Sequence, residues 1–267
     1  MNSPQKFTAI VLAGSRRADD PVAVAAGVAH KALARVDGMT MLGRVLGALR
    51  HCEHIAKITV VAEDPNDLGA VENLDDLARE NVLATVEAAQ TPSRSVLRAM
   101  RHGDARAPFL VVTADHALLT REMLDHFCAG AAGAGDVAVG LAARTVLEAA
   151  YPKASRTYLS FSDDDYSGCN LFAMLTPDAI EAAEFWKRVE SQRKKPWKLV
   201  RVFGIGNLFR YLFRRLDLER AMKQASGVIG LRVHAVRMPM AEAAIDVDKP
   251  EDLVLAEDIL RKRRNSA

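Results

Sequence analysis

The sequence is short of cysteine, of charge bias and of long apolar runs, and each shortage removes a class of protein. Only three cysteines occur in 267 residues, Cys52, Cys128 and Cys169, and they stand far apart with no C-x-x-C pair. That spacing argues against a zinc site or a disulfide framework and fits a reducing, cytoplasmic setting. Basic residues number 36 and acidic residues 34, a net charge of +2, so the whole-chain balance calls for no nucleic-acid partner. No apolar run approaches the roughly 20 residues that cross a bilayer. The N-terminus runs from Met1 through a short polar lead into the strand-like Phe7-Thr8-Ala9-Ile10-Val11-Leu12, not through a signal peptide. A soluble protein is expected. The turn after this first strand also lacks both G-x-G-x-x-G and the Walker ending G-K-[ST], which disfavours a nicotinamide dehydrogenase. No internal repeat and no low-complexity tract occurs.

What is present is a chain 49% apolar, enough for one sizeable core with a small appended subdomain. Short apolar runs alternate with helical patterns, the mark of strand-helix units on a mostly parallel sheet. Strands are expected at Phe7 to Leu12, Ile58 to Ala62, Val82 to Ala84, Phe109 to Thr113 and Val137 to Leu141. Helical spacing falls between them at Met41 to Arg50, Val71 to Glu80, Ser95 to His102 and Arg121 to Ala129. Thr157 to Phe161 and Gly168 to Leu175 read as strands around an Asp-rich turn, and Pro177 to Gln192 as a helix opened by proline. Ile229 to Val236 reads as a strand and Pro250 to Arg263 as a closing helix. The first half is thus doubly wound. A core of 1–180 and 229–267 is expected, with 181–228 as an inserted helical lid or interaction subdomain.

The first strand runs into Leu12-Ala13-Gly14-Ser15-Arg16-Arg17, and Lys31 follows in Gly27-Val28-Ala29-His30-Lys31-Ala32-Leu33. Small residues after a strand let backbone N–H groups approach phosphate oxygens, and a nearby arginine or lysine supplies countercharge. A plain strand-to-turn reading accounts for the same residues. Leu-Ala-Gly, then Arg, then Lys-Ala-Leu and Asp37-Gly38-Met39-Thr40-Met41-Leu42 resemble the opening of nucleotidyltransferases related to the molybdenum-cofactor guanylyltransferases and the sugar-phosphate nucleotidyltransferases. The resemblance implies a Rossmann-like α/β fold of the glycosyltransferase A type. It further implies a loop of Leu12, Ala13, Gly14 and Ser15 around a nucleoside triphosphate, with Lys31 and Arg16 as the catalytic cations. The chain departs from many relatives by Ser-Arg where a second glycine stands and by the long spacer Ala18 to His30.

Phe109-Leu110-Val111-Val112-Thr113-Ala114-Asp115-His116 places a carboxylate just past a strand end, where ligands of open α/β sheets bind. A turn former or helix cap is the local alternative. The run T-A-D-H-x-L-L-T resembles the metal-bearing strand end of the same enzymes, which makes Asp115 a magnesium ligand. Ala244-Ile245-Asp246-Val247-Asp248-Lys249-Pro250-Glu251-Asp252-Leu253 resembles their D-[IV]-D-[TK]-P-E-D-L signature, with Asp248 favoured as second ligand and Asp246 close behind. Read locally, Asp248 caps the helix that Pro250 opens.

Gln90 to Met100 is a polar turn entering a helix, which capping by Ser93 alone explains. It also resembles the base-contacting segment of the family. Ser95-Val96 matches the serine-valine pair of the cytidylyltransferase of the methylerythritol-phosphate isoprenoid route, which puts Ser93 and Ser95 by the base and favours CTP. Gly168-Cys169-Asn170 resembles the acceptor-side G-x-N of sugar and cobinamide nucleotidyltransferases, against the alternative of an asparagine bonded to local backbone. Arg156, Lys153 and Lys198 complete the expected acceptor side. Asp163-Asp164-Asp165 supports a competing reading, a metal-dependent glycosyltransferase using a sugar nucleotide through Asp163 and Asp165. A non-catalytic nucleotide-binding protein is the third reading.

Between residues 186 and 223, basic side chains alternate with apolar ones at three- and four-residue spacing, broken near Gly204 and Gly206. A lid, a homodimer face and a peripheral contact with an anionic membrane all fit that pattern. The expected reaction joins a nucleoside triphosphate to a phosphorylated small acceptor, such as a glycerate or polyol phosphate for a lipid head group, and releases pyrophosphate.

Overall fold

The computed structural model describes residues 6–14, 19–103, 106–133, 135–192 and 216–266. Its first strand, β1 (Phe7–Leu12), shows how the sheet is held. Ala9 and Val11 bury into one apolar cluster while Ile10 buries into another on the opposite face. A run buried on both faces, with Thr8 its one polar residue, belongs to a strand covered on both sides. β4 (Ile55–Ala62) and β6 (Phe109–Thr113) flank β1 in parallel, and β5 (Leu83–Glu87) extends the sheet beyond β4.

The sheet continues past β6 to β9 (Asp165–Met174), which runs antiparallel to both its neighbours, then to β7 (Val137–Ala143) and the parallel β10 (Val233–Arg237). The order is β10-β7-β9-β6-β1-β4-β5, with the short β8 (Leu159–Ser160) paired to β9. A separate hairpin of β2 (Arg35–Val36) and β3 (Met39–Thr40) turns on Asp37 and Gly38, whose φ values of 49° and 82° suit a two-residue hairpin loop.

Helices α2 (Met41–Arg50) and α5 (Arg121–Ala131) cover one face with Leu42, Leu46, Leu49, Leu124 and Phe127. On the other face lie α4 (Pro92–Met100) and α7 (Ile180–Gln192), which carry Val96, Leu97 and Ala183. Phe127 is fully buried. Phe127→Ala is expected to lower unfolding free energy by about 3–5 kcal/mol, read as a reduced urea midpoint at unchanged slope.

The chain ends differ from expectation in one place. Ile229 belongs to α8 (Leu218–Ile229), not to a strand, because Gly230 at φ 82° closes the helix in a left-handed cap. The strand begins only at Val233. The closing helix α9 runs Pro250–Ser266. Between β1 and Lys31, the spacer holds the short helix α1 (Pro21–Ala26), capped by Asp20 at its start and by Gly27 in a left-handed conformation at its end. Among the described residues, no helix is long and apolar enough to cross a membrane.

Candidate active site

β1 and β6 are neighbours in parallel register, so Ala13, Gly14, Ala114 and Asp115 emerge side by side at one edge of the sheet. Gly14 is exposed there, and a Cβ at this position would stand 3.2 Å from the Ala88 Cβ beyond β5. The missing side chain lets the backbone pass close to Ala88 without displacing it. Ser15 and Arg16, expected to complete the loop, lie outside the described residues.

Lys31 sits in a 3-10 turn after α1 and reaches this edge. Its Nζ donates to Asp115 Oδ2 at 2.6 Å and to Asp248 Oδ1 at 3.1 Å, bonds that span 84 and 217 positions of sequence. Burial opposes the ammonium charge, but the carboxylates of Asp115 and Asp248 outweigh it and hold Lys31 above the ordinary lysine range. Asp115 Oδ1 also accepts from the Thr113 hydroxyl. The Asp115 carbonyl accepts from the Val247 N–H at 3.0 Å, which fastens the 245–248 loop to the end of β6.

The carboxylates of Asp115, Asp246 and Asp248 each offer an oxygen, and these atoms lie within 4.8 Å of one another. It is the one such grouping among the described residues. Three hard oxygen donors at this spacing suit a divalent cation such as magnesium, which prefers oxygen ligands. Asp246 is the most constrained of the three. Burial, then the neighbouring charges of Asp115 and Asp248, push its carboxyl up to about 6. Asp248 is the most open, with two thirds of its side chain exposed.

The structure differs from the local reading of Asp248 as a helix cap. Asp252, one turn into α9, instead accepts from the Asp248 and Lys249 N–H groups at 3.1 Å each and so satisfies the helix start. The Asp248 carboxylate is thereby left to face Lys31. Sequence reasoning gave no role to Asp252 or Thr113; the signal for Asp252 was its third-position spacing from Lys249, the N3 place of a capping box.

Several expected ligand contacts are arranged otherwise. Arg156 was expected to anchor an acceptor phosphate, yet it is buried, with Nη1 donating to Asp246 Oδ1 at 2.9 Å and Nη2 to the Asp246 carbonyl at 2.9 Å. Asn170, expected at the acceptor hydroxyl, donates its amide to Asp246 Oδ2 at 2.8 Å. Ser93 is fully buried, bonded to Glu190 of α7 and to Thr91. Ser95 is buried too, its hydroxyl accepting from the Ala89 N–H at 2.9 Å. Thr91, not Ser93, caps α4. Both serine hydroxyls are therefore engaged within the protein at the β5–α4 turn. Lys153 is exposed in the loop after α6 (Arg144–Ala150), and Lys198 lies outside the described residues, as does most of the basic 186–223 stretch.

The acidic triplet of the competing glycosyltransferase reading is occupied structurally. Asp163 accepts from the Tyr166 hydroxyl at 2.9 Å and the Leu218 N–H at 3.1 Å, Asp164 from the Thr145 hydroxyl at 2.6 Å, and Asp165 from Arg144 at 3.2 Å. These bonds tie the β8–β9 turn to α6 and α8, and none of the three joins the Asp115 cluster. His116, next to Asp115, is fully buried, and among the described residues neither ring nitrogen makes a hydrogen bond of good geometry, the Glu242 backbone being its polar neighbour. Burial keeps it neutral, pushing it down to about 4 against the opposing charge of Asp115.

Known proteins share the fold. A hypothetical transferase from Thermus thermophilus superposes with a TM-score of 0.78 at 27% identity, over 93% of this chain and 100% of that one. The 4-diphosphocytidyl-2C-methyl-D-erythritol synthase of Anaerococcus prevotii shares the fold at a TM-score of 0.56 and 12% identity, over 96% of each chain. A CMP:2-keto-3-deoxy-manno-octonic acid synthetase solved with CTP does so at 0.59 and 12%, over 97% of this chain and 100% of that one. No curated protein matches the sequence. Residues 9–172, which carry the β1 loop, Lys31, Asp115 and Asn170, match the MobA-like NTP transferase domain, so the chain belongs to that family and is a nucleotidyltransferase.

Proposed function

We propose that the protein is a magnesium-dependent nucleotidyltransferase that joins a nucleoside triphosphate, CTP by preference, to a phosphorylated small acceptor and releases pyrophosphate. The observation that carries the reading is the Lys31 ammonium shared by Asp115 and Asp248 beside the β1 loop. A cation and three carboxylates brought to one sheet edge from distant parts of the chain match what a triphosphate and its metal require. Magnesium, when bound by Asp115, Asp246 and Asp248, supplies positive charge to the phosphate oxygens.

The chain's own groups do the rest. The small residues Ala13 and Gly14 let backbone N–H groups approach the triphosphate, and Lys31, with Arg16 by resemblance, offsets the charge that develops at the α-phosphate. An acceptor phosphate oxygen gives its electron pair to the α-phosphorus. The bond from the α-phosphorus to the bridging β-phosphate oxygen breaks, and pyrophosphate leaves with that pair. No protein nucleophile is needed, since positioning and charge neutralisation supply the catalysis. Cytidine is favoured by the two fold relatives above whose names carry a cytidine nucleotide, while the Ser95-Val96 likeness stands in sequence only, since the Ser95 hydroxyl is bonded to Ala89. Glycerate and polyol phosphates, precursors of lipid head groups, are the acceptor class to examine first.

Pyrophosphate release should appear with CTP, magnesium and one member of a panel of phosphorylated sugars, alditols and hydroxy acids. Faster release with another triphosphate would move the base assignment; silence across the panel with folded protein would overturn the reading.

A further inference from the structure

Asp246 is gripped on both oxygens. Arg156 reaches it from the loop before β8 and Asn170 from β9, while Asp252 stands 3.6 Å from the Arg156 guanidinium on the far side. Asn170 holds its place in the left-handed region, with φ 51°, which asparagine enters more readily than most residues with a side chain. The conformation is built into the sheet. Val139 pairs with Phe172 and Leu141 with Gly168, so Cys169, Asn170 and Leu171 of β9 stand against the single residue Gly140 of β7. A Cβ on Gly140 would lie 3.1 Å from the Leu171 Cβ and 3.4 Å from the Cys169 Cβ, so the glycine makes room for the bulge. Bulges re-aim side chains, and this one sends the Asn170 amide to Asp246.

We propose that Asn170 and Arg156 are positioning residues: the β9 bulge and the buried guanidinium fix the Asp246 carboxylate in the orientation from which it completes the cation site with Asp115 and Asp248. The inference rests on the cation site of the proposed function. Without the two donors, Asp246 turns away from two like charges that lie within 4.8 Å. With them, its free lone pairs stay directed at the cluster. Partners that orient a ligand in this way typically change metal affinity by about 10- to 100-fold.

The test is Mn2+ binding by the full-length protein, followed as loss of the free-ion electron paramagnetic resonance signal, with and without CTP. Asn170→Gly deletes the amide yet suits the left-handed backbone, so the variant should still fold, with a melting temperature modestly lower for the lost hydrogen bond. Its Kd for Mn2+ should rise about 10-fold. Arg156→Lys keeps the charge but loses the two-pronged grip, and should raise Kd by a similar or larger factor. In pyrophosphate release, the magnesium concentration for half-maximal rate should rise while excess magnesium restores the rate, a rescue that a merely structural role does not give. Wild-type affinity in Asn170→Gly overturns the inference and leaves the cation site standing. Should the glycine variant fail to fold, unaltered affinity in Arg156→Lys overturns it equally. Absence of Mn2+ binding in the wild type overturns the cation site and this inference together.

Discussion

Lys31→Met is expected to slow nucleotidyl transfer on the order of 10³-fold and to make the metal-free protein less stable, with divalent cation restoring the stability but not the rate. The two halves have different causes. For the rate, the ammonium is the described cation nearest the Asp115 cluster, and methionine keeps its length without its charge. For the stability, Lys31 is the group that offsets Asp115 and Asp248, and its side chain is only 19% exposed. Removing one partner of a buried pair leaves the other charge uncompensated. The large exposure of Asp248 reduces the loss to about 2 kcal/mol. Melting curves in chelator and in millimolar magnesium separate the effects: the variant should melt below wild type in chelator and approach it in magnesium. Equal melting in both media would mean that Lys31 and a bound cation do not answer the same charges.

The parts of the site differ in how openly the sequence displays them, and the difference is physical. β1, β6 and α2 start and stop where the residue pattern places them, because the two strands are short, continuously buried apolar runs, the helix recurs with its own period, and their ends carry local signals. Asp115 and the 246–248 loop were readable for a related reason, since each lies at the end of such a run inside a recognisable string. The partners of Asp246 were not. Arg156 and Asn170 lie 90 and 76 positions away, and only the register of β9 between β6 and β7 brings the latter to the cleft. The sequence marks them as donors for an acceptor, whereas in the structure both donate to the carboxylate of Asp246. Ser93 and Ser95 went astray similarly, because a helical start says nothing about which of its faces meets α7.

Asp115→Asn should reduce pyrophosphate release by on the order of 10³-fold or more, whereas Asp163→Asn should leave the rate close to wild type. Asparagine has the shape of aspartate, so in either variant packing is retained and charge is what changes. At position 115 that charge answers Lys31 directly at 2.6 Å and forms one corner of the carboxylate cluster. Under the proposed function its loss removes both a cation ligand and the counterion of Lys31, and the two effects act on one transition state. At position 163 the carboxylate serves the Tyr166 hydroxyl, the Leu218 N–H and, at 3.5 Å, Arg237. The amide oxygen can stand in for Oδ2, which meets Tyr166 and Arg237, or for Oδ1, which meets the Leu218 N–H, but not for both, so the expected cost is about 1 kcal/mol of stability, seen as a lower urea midpoint. The opposite pair of results, a silent Asp163→Asn and an active Asp115→Asn, would fit a sugar-nucleotide transferase working from the β8–β9 turn. It would also require the bonds that now tie that turn to α6 and α8 to be released before a metal could enter, at a site where Arg144 already offsets the charge of Asp165.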